Sequence, residues 1–454
     1  MSDQQTEEYV GWIRTRRETM EYKRYPTYKN SSVAWLTEIP KHWDESIISA
    51  LFEDNKHKNK DSSEQNLLSL SYGRIINKDI NTEEGLLPAS FETYQIVEPD
   101  YIVLRLTDLQ NDQRSLRVGH VQDRGIITSA YTALKKKSFR MASARYFYYL
   151  LHAYDLMKVF YGMGAGVRQS LGYDELKKTR LFLPAKDEQQ CIVRFLDRET
   201  TRIDALIEKK QRLIELLKEK RQAVITQAVT KGLDPSVPMK DSGVEWLGEV
   251  PEHWFVGRLG YYGLVNNGTT PSKANDEYWF DGDVPWLSSG VVNQETVLTP
   301  SEYITHKALT ECSVKMLPVG TVIVGMIGQG KTRGMSAILA VSATINQNLA
   351  AVVTDNRLSS YYLHYVFKAA YESIRNVGRG GNQAALNCEI LSDMKIPVPE
   401  YDEQVKIVDA IKSRISKIDV VVEQSERSLS LLKEHRSALI TAAVTGQIDV
   451  RNLA

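Results

Sequence analysis

The sequence predicts an α+β protein: two tandem α/β domains separated by two long helices that pair as an antiparallel coiled coil, with a pseudo-twofold axis. Three observations predict it. "YKNSSVAWLTEIPKHW", Tyr28 to Trp43, returns as "MKDSGVEWLGEVPEHW", Met239 to Trp254, with nine identities in sixteen positions at one shift (246 − 35 = 211). A second pair of segments opens with Asp-Glu-Gln at Asp187 and at Asp402, a shift of 215, and keeps Ile-Asp, Leu-Leu-Lys-Glu and Ala-Val-Thr in register. Both members of that pair lack Gly and Pro for about 44 residues and set apolar side chains at alternating steps of three and four, so both read as helices.

The elements follow in order. An N-terminal extension, 1–24, lies outside the duplication; it is charged, has no apolar core, and so is not a secretory signal. Its "EEYVGWIRTRRETMEYKRY" is expected either as a short closing helix or as a frayed tail. The first domain, 25–185, carries the strand-like runs "NLLSLSYGRII", "YIVLRL" and "GIITSAYTAL", the aromatic helix "ASARYFYYLLHAYDLMKVF" and a glycine turn. The first long helix, 186–232, should run on the order of 65 Å at ~1.5 Å per residue. The second domain, 233–400, repeats the plan with "TVIVGMI", "TINQNLAAVV" and "SSYYLHYVFKAAYESIR". The second long helix, 401–447, and a tail, 448–454, end the chain.

The seams of the helices match. Ile203, Ile207, Lys210, Ile214, Leu217, Arg221, Val224 and Ala228 form one stripe; Ile418, Val422, Ser425, Leu429, Leu432, Arg436, Leu439 and Ala443 form its counterpart. A stripe repeating every 3.5 residues wants a partner helix, and polar breaks at matched places help to fix register.

Composition bounds the function. Hydrophobic residues make up 42% and charged residues 25%, and no apolar run approaches the ~18 residues of a membrane span. Cys191, Cys312 and Cys388 are scattered, which implies reduced thiols in a cytoplasm and no metal site. The 57 basic residues balance 57 acidic ones, so a nucleic-acid partner must be met by local basic faces.

One motif points elsewhere. In "VIVGMIGQGKT", Gly325 to Thr332 spell the loop that wraps nucleotide phosphates, and a phosphate-loop NTPase is the enzymatic alternative. Such a loop must feed a helix, but Gly334 follows at once, and the first domain has "PDYIVLRLTDLQNDQRS" at this place without the glycines or lysine. A hairpin with a basic tip, Lys331 and Arg333, is the expectation. Asp204, Glu208 and Lys210 loosely resemble a nuclease set, yet on a long helix they read as a solvated face. His42 and His253 stand beside tryptophans at matched positions, where they should fix a turn. No catalytic residue and no metal ligand is expected.

Two divergent domains, each introduced by Trp-Leu-x-x-(Ile/Val)-Pro-x-His-Trp and followed by a long helix opening with Asp-Glu-Gln, resemble the specificity subunit of type I restriction-modification systems. The strand "DVPWLSSG", Asp283 to Gly290, and the upstream "GTTPSK" are also similar to that family, although the first domain has no such upstream motif. The resemblance implies two target-recognition domains, each reading one half of a split double-stranded DNA sequence. It implies helices that set the spacing and dock two methyltransferase subunits, which bring S-adenosylmethionine. Motor-nuclease restriction subunits, with ATP and magnesium, complete the complex, and no cofactor belongs to this chain. The scaffold alternative keeps the coiled coil and drops the DNA.

Paired helices give two reading modules a local twofold, as a duplex has, so half-site separation is set by geometry. Candidate DNA contacts in the first domain are Arg114, Arg117, Lys135, Lys136, Lys137 and Arg168; in the second they are Lys273, Lys331, Arg333 and Arg379. Arginine can read guanine edges and lysine mostly neutralises phosphate.

Overall fold

The computed structural model describes residues 22–81, 90–112, 115–137, 143–163, 170–328, 331–376 and 386–453. The expectation for the N-terminal prefix falls on residues 1–21, outside those described. Two compact units emerge, and they are not sequence halves: one comprises residues 1–210 and 427–454, the other 211–426. The helices, Lys186–Lys231 and Tyr401–Val444, each give one portion to each unit.

In both units the duplicated motif builds the same frame. Its first residues form a small hairpin, Tyr28–Asn30 with Glu38–Pro40 and Met239–Asp241 with Glu249–Pro251. The next strand, Asp44–Ile47 or Phe255–Arg258, pairs antiparallel with the strand that leads into the long helix, Arg180–Leu183 or Lys395–Val398.

The Asp-Glu-Gln signature then locks helix to frame. Glu188 Oε1 accepts from the indole Nε1 of Trp43 at 3.0 Å, and its Oε2 lies 2.8 Å from His42 Nε2. Glu403 repeats both bonds with Trp254 at 3.1 Å and His253 at 3.0 Å. Gln189 accepts from Ser143 N and donates to Pro184 O, each at 2.9 Å; Gln404 accepts from Ser359 N and donates to Pro399 O, each at 2.8 Å. Ser143 and Ser359 are in turn the N-caps of the aromatic helices, Ala144–Leu156 and Ser360–Ala369. Tyr146 and Tyr362 of those helices donate to Val444 O and Val229 O near the ends of the long helices. The repeat therefore recurs because a buried indole N–H and a helix start need the same partners twice.

Between frame elements the heads share a strand order. In the first unit it is Phe52–Asp54, Thr132–Lys136, Ile102–Leu104, Val118–His120; in the second Gly263–Asn267, Leu349–Thr354, Val322–Gly325, Ser336–Leu339, all antiparallel. Each head also has one parallel pair in a second sheet, Leu67–Ser71 with Gly125–Ile127 and Val284–Leu287 with Thr344–Ile345. Around these the heads diverge. The first adds Arg74–Lys78 and Gln95–Val97 to its second sheet; the second adds Thr296–Val297 to its first and Glu302–Ile304 to its other.

Within each unit the helix portions run antiparallel. In the first unit Trp43, bonded to Glu188, lies against Gly446, while further along Asp204 meets Arg436 at 2.8 Å. In the second unit Arg221 meets Asp419 at 2.8 Å and Gly232 lies beside Glu403. The two ion pairs are the same pair under the 215-residue shift, with helices exchanged (204 + 215 = 419; 221 + 215 = 436). Ile203, Ile207, Leu432 and Leu439 join the first unit's core and Val224 packs against the second's; Ile214 and Ile418 are buried, while Leu217, Val422 and Leu429 are half-buried.

Each long helix stops at a glycine in the left-handed region, Gly232 at φ +72° and Gly446 at φ +71°. Gly446 also sits where a Cβ would come 2.3 Å from Pro40 Cδ. Gly446→Ala should therefore destabilise the first unit by about 2–4 kcal/mol, combining left-handed strain with overpacking. Hydrogen exchange of the 28–40 hairpin reports it; unchanged protection would refute the account.

Candidate nucleic-acid interface

In the second head, the loop joining the third and fourth strands of the first sheet carries the phosphate-loop spelling, where a hairpin with a basic tip is the expectation. Gly325 ends its strand and is followed by a return, not a helix: Gly325 N donates to Met335 O at 2.9 Å and Gly334 N to Gly325 O at 2.8 Å. Val324 faces Ser336 in the antiparallel ladder. A Cβ on Gly325 would meet Thr332 O at 2.4 Å, so the glycine lets two hairpin arms close. Among the described residues the phosphate-loop geometry is absent, and the spelling belongs to a hairpin.

Lys331 stands exposed on that turn and Arg333 is half-buried beside it. The hydroxyl of Tyr371, from the segment after the second aromatic helix, donates to Lys331 O at 2.6 Å and accepts from Arg375 Nη1 at 2.6 Å. Next to the turn, Arg221 and Lys368 converge on one carboxylate, Glu295, and Arg221 reaches it at 2.6 Å. Burial pushes the Glu295 carboxyl up, but the Lys368 ammonium and the Arg221 guanidinium outweigh it and hold the group at about 2. A folded-state value below the unfolded one means stabilisation that is complete above pH ~4.5 and is lost as pH falls toward 2. Because Glu295 is half exposed, screening leaves about 1 kcal/mol. Glu295→Gln should flatten the acid limb of the second unit's unfolding profile over that window, and an unaltered limb would count against the network.

The corresponding loop of the first head is closed from within. Arg117 is fully buried, and its guanidinium donates to Arg105 O at 3.1 Å, Thr107 O at 2.8 Å, Asp108 O at 3.3 Å, Asp112 O and Tyr161 Oη at 3.0 Å. Its backbone N donates to Asp155 at 2.6 Å, a carboxyl that burial pushes up to about 6. Arg117 is thus corrected from a candidate DNA contact to the keystone of its loop: its guanidinium donors are spent on four carbonyls and one phenol oxygen inside the fold.

The other candidates divide. Lys135 is exposed and lies 3.5 Å from Glu53; Lys136 is half-buried; Lys137 is exposed and donates to Ser49 O at 2.6 Å. Lys273 is paired with Glu302 and stacked over Trp279, its Nζ 3.3 Å from the ring centre, with Trp286 at 5.3 Å. Arg114, Arg168 and Arg379 lie outside the described residues.

Residues that sequence reasoning missed include Arg74, 2.8 Å from Asp204, and Glu295 with Lys368. Tyr72, 80% exposed at φ +45°, crowns the Leu67–Lys78 hairpin, a conformation uncommon for an aromatic side chain. Only the local Tyr-Gly spelling hinted at it. Among the described residues no group of His, Cys, Asp and Glu has metal-site geometry, and no helix is long and apolar enough to cross a membrane.

Comparison with known proteins adds the following. The family model of the type I restriction modification DNA specificity domain matches residues 120–216 and 251–426, more than half of the chain. The chain is 29% identical over 203 residues to the EcoR124I/EcoR124II specificity subunit of Escherichia coli, covering 44% of this chain and 47% of that one. It is 26% identical over 318 residues to the putative MjaX specificity subunit of Methanocaldococcus jannaschii, covering 67% and 68%. The EcoR124I/EcoR124II match thus spans about half the length of that relative. In fold, a chain from a structure of type I R-M complex assembly and conformational transition superposes with a TM-score of 0.63 at 15% identity, over 90% of this chain and 99% of that one. The HsdS subunit of Thermoanaerobacter tengcongensis gives 0.50 at 14% identity, over 90% and 98%.

Proposed function

Since the chain belongs to the type I restriction modification DNA specificity family, we propose that it is the recognition subunit of such a complex, reading a bipartite duplex target with one half-site per head. The observation that carries this reading is one frame used twice with different loops. The Trp-His-Glu lock, the serine-capped aromatic helix and the four-strand order recur, whereas the loop around Arg117 and the hairpin around Lys331 share nothing but position. A shared frame with divergent loops is what two unequal half-sites require.

Of the cations, exposed Lys135, Lys137, Lys273 and Lys331 and half-buried Lys136 and Arg333 are the proposed contacts among the described residues. Arg114, Arg168 and Arg379 remain proposals from the sequence. The helices would dock two methyltransferase subunits. Apolar side chains left exposed on them support this: Leu206 and Leu431 in the first unit, Leu213, Leu216, Val420 and Val421 in the second. Methylation with S-adenosylmethionine, and ATP- and magnesium-dependent cleavage, would reside in methyltransferase and motor-nuclease subunits in a cytoplasmic complex. This chain would choose the site and perform no chemistry.

The test is a map of methylated adenines in cells carrying this chain and its methyltransferase. Two short sequences separated by a constant unspecified gap are expected, and replacing residues 259–394 by another head should change one half only. A single uninterrupted target, or both halves changing together, would sink the proposal.

A further inference from the structure

Between the long helix, the Lys331 hairpin and the end of the aromatic helix, the second unit holds a cavity of about 280 Å³ lined by Arg221, Gln222, Lys331, Ser336, Lys368 and Tyr371. Three cations face it, and Arg375, bonded to Tyr371, stands behind as a fourth. Against them are two carboxylates, Glu295 on Arg221 and Lys368, and Asp419 on Arg221. Lys331 has no ion-pair partner among the described residues, and its backbone is pinned by Tyr371. The hydroxyl of Ser336 bonds His364 Nδ1 at 2.9 Å, and burial drives that imidazole down to about 3, so it adds no charge.

We propose that this cavity is a seat for one backbone phosphate of duplex DNA, with Lys331 as the open arm and Glu295 as an internal carboxylate holding Arg221 and Lys368 in its absence. The inference rests on the DNA-recognition reading and deepens it. The chemistry favours a phosphodiester. Ammonium and guanidinium groups at a walled surface bind oxyanions without reading a base, so the contact would position the duplex and be indifferent to sequence. Arg221 is also the arginine of the helix seam, so the phosphate would be held against the element that sets half-site spacing. Among the described residues the first head does not repeat the site. Aligning the serine caps (359 − 143 = 216) puts His152 where Lys368 stands and Asp155 where Tyr371 stands. His152 is fully buried and driven down to about 3, and Asp155 is an acid.

The test uses the full chain assembled with its partner subunits and measures duplex affinity against salt. Lys331→Ala should make the log–log salt slope shallower by ~0.9, the loss of one released counterion, and weaken cognate and scrambled duplexes by the same factor. Lys331 is exposed, so folding should not change. Glu295→Gln, which frees one positive charge, should tighten binding to both duplexes. Equal slopes for wild type and Lys331→Ala would overturn the inference while leaving the recognition reading intact; a wild-type assembly that binds no duplex would overturn both. A parallel arm follows the thermal midpoint with inorganic phosphate against chloride at equal ionic strength. Stabilisation by free phosphate that Lys331→Ala abolishes, with no change in the DNA slope, would assign the seat to a free anion and overturn the duplex assignment.

Discussion

Arg117→Met should cost the first unit about 3–5 kcal/mol, the largest effect expected of any single substitution in the head. The side chain is 0% exposed and no methionine can replace what it donates: four carbonyls and one phenol oxygen would be left facing apolar atoms or would have to open to water. Each stranded acceptor costs on the order of 1–3 kcal/mol, and the losses do not add in full because the 105–117 loop can relax. The readout is hydrogen exchange across 102–120 together with the urea midpoint of the first unit. Arg117→Lys should recover little, since one ammonium cannot span five acceptors. If Arg117→Met instead left stability unchanged and weakened DNA binding alone, the keystone role would be wrong.

Glu188→Ala should be the next largest. It strands the indole N–H of Trp43, itself 0% exposed, removes the partner of His42, and deletes an acid from the first turn of a 46-residue helix. A buried unpaired donor plus a lost helix-terminal charge predicts about 2–3 kcal/mol. The matched change Glu403→Ala should cost about 1 kcal/mol, because Glu403 is 30% exposed and water can take its place at Trp254. Since the chain has two units, unfolding must be followed unit by unit and not through one global midpoint. Equal losses at both sites would mean that burial is not what separates them.

The two cases mark what could be read in the letters. The members of the lock are visible because they are repeated, the Trp-His motif at a shift of 211 and Asp-Glu-Gln at 215. That they meet is not: the sequence assigns the histidines to a turn, and the Trp-to-Glu separation itself differs between copies, 145 against 149. The hairpin at Lys331 was legible because the glycine after it forbids a helix start. Arg117 was not legible: a lone arginine in a polar loop is written the same way whether it faces solvent or carbonyls, and only the folded loop reveals which. Glu295 with Lys368 escaped for a related reason, since their 73-residue separation has no counterpart in the first domain to call attention to it. The sharing of each helix between units was hidden too. The 3.5-residue stripe says that helices pair but not which portion belongs to which core.

That sharing has a consequence for the order in which the protein can be made. Residues 211–426 are contiguous, so the second unit has every part of its core once Glu426 has left the ribosome. The first unit, begun earlier, must wait. Its interior includes Leu439, Ile440, Ala443, Val444, Ile448 and Val450, all translated after Glu426. Until they arrive, Tyr25 and Trp43 have an open groove where the last turns of the second long helix belong, and of the two units the one begun earlier is completed later.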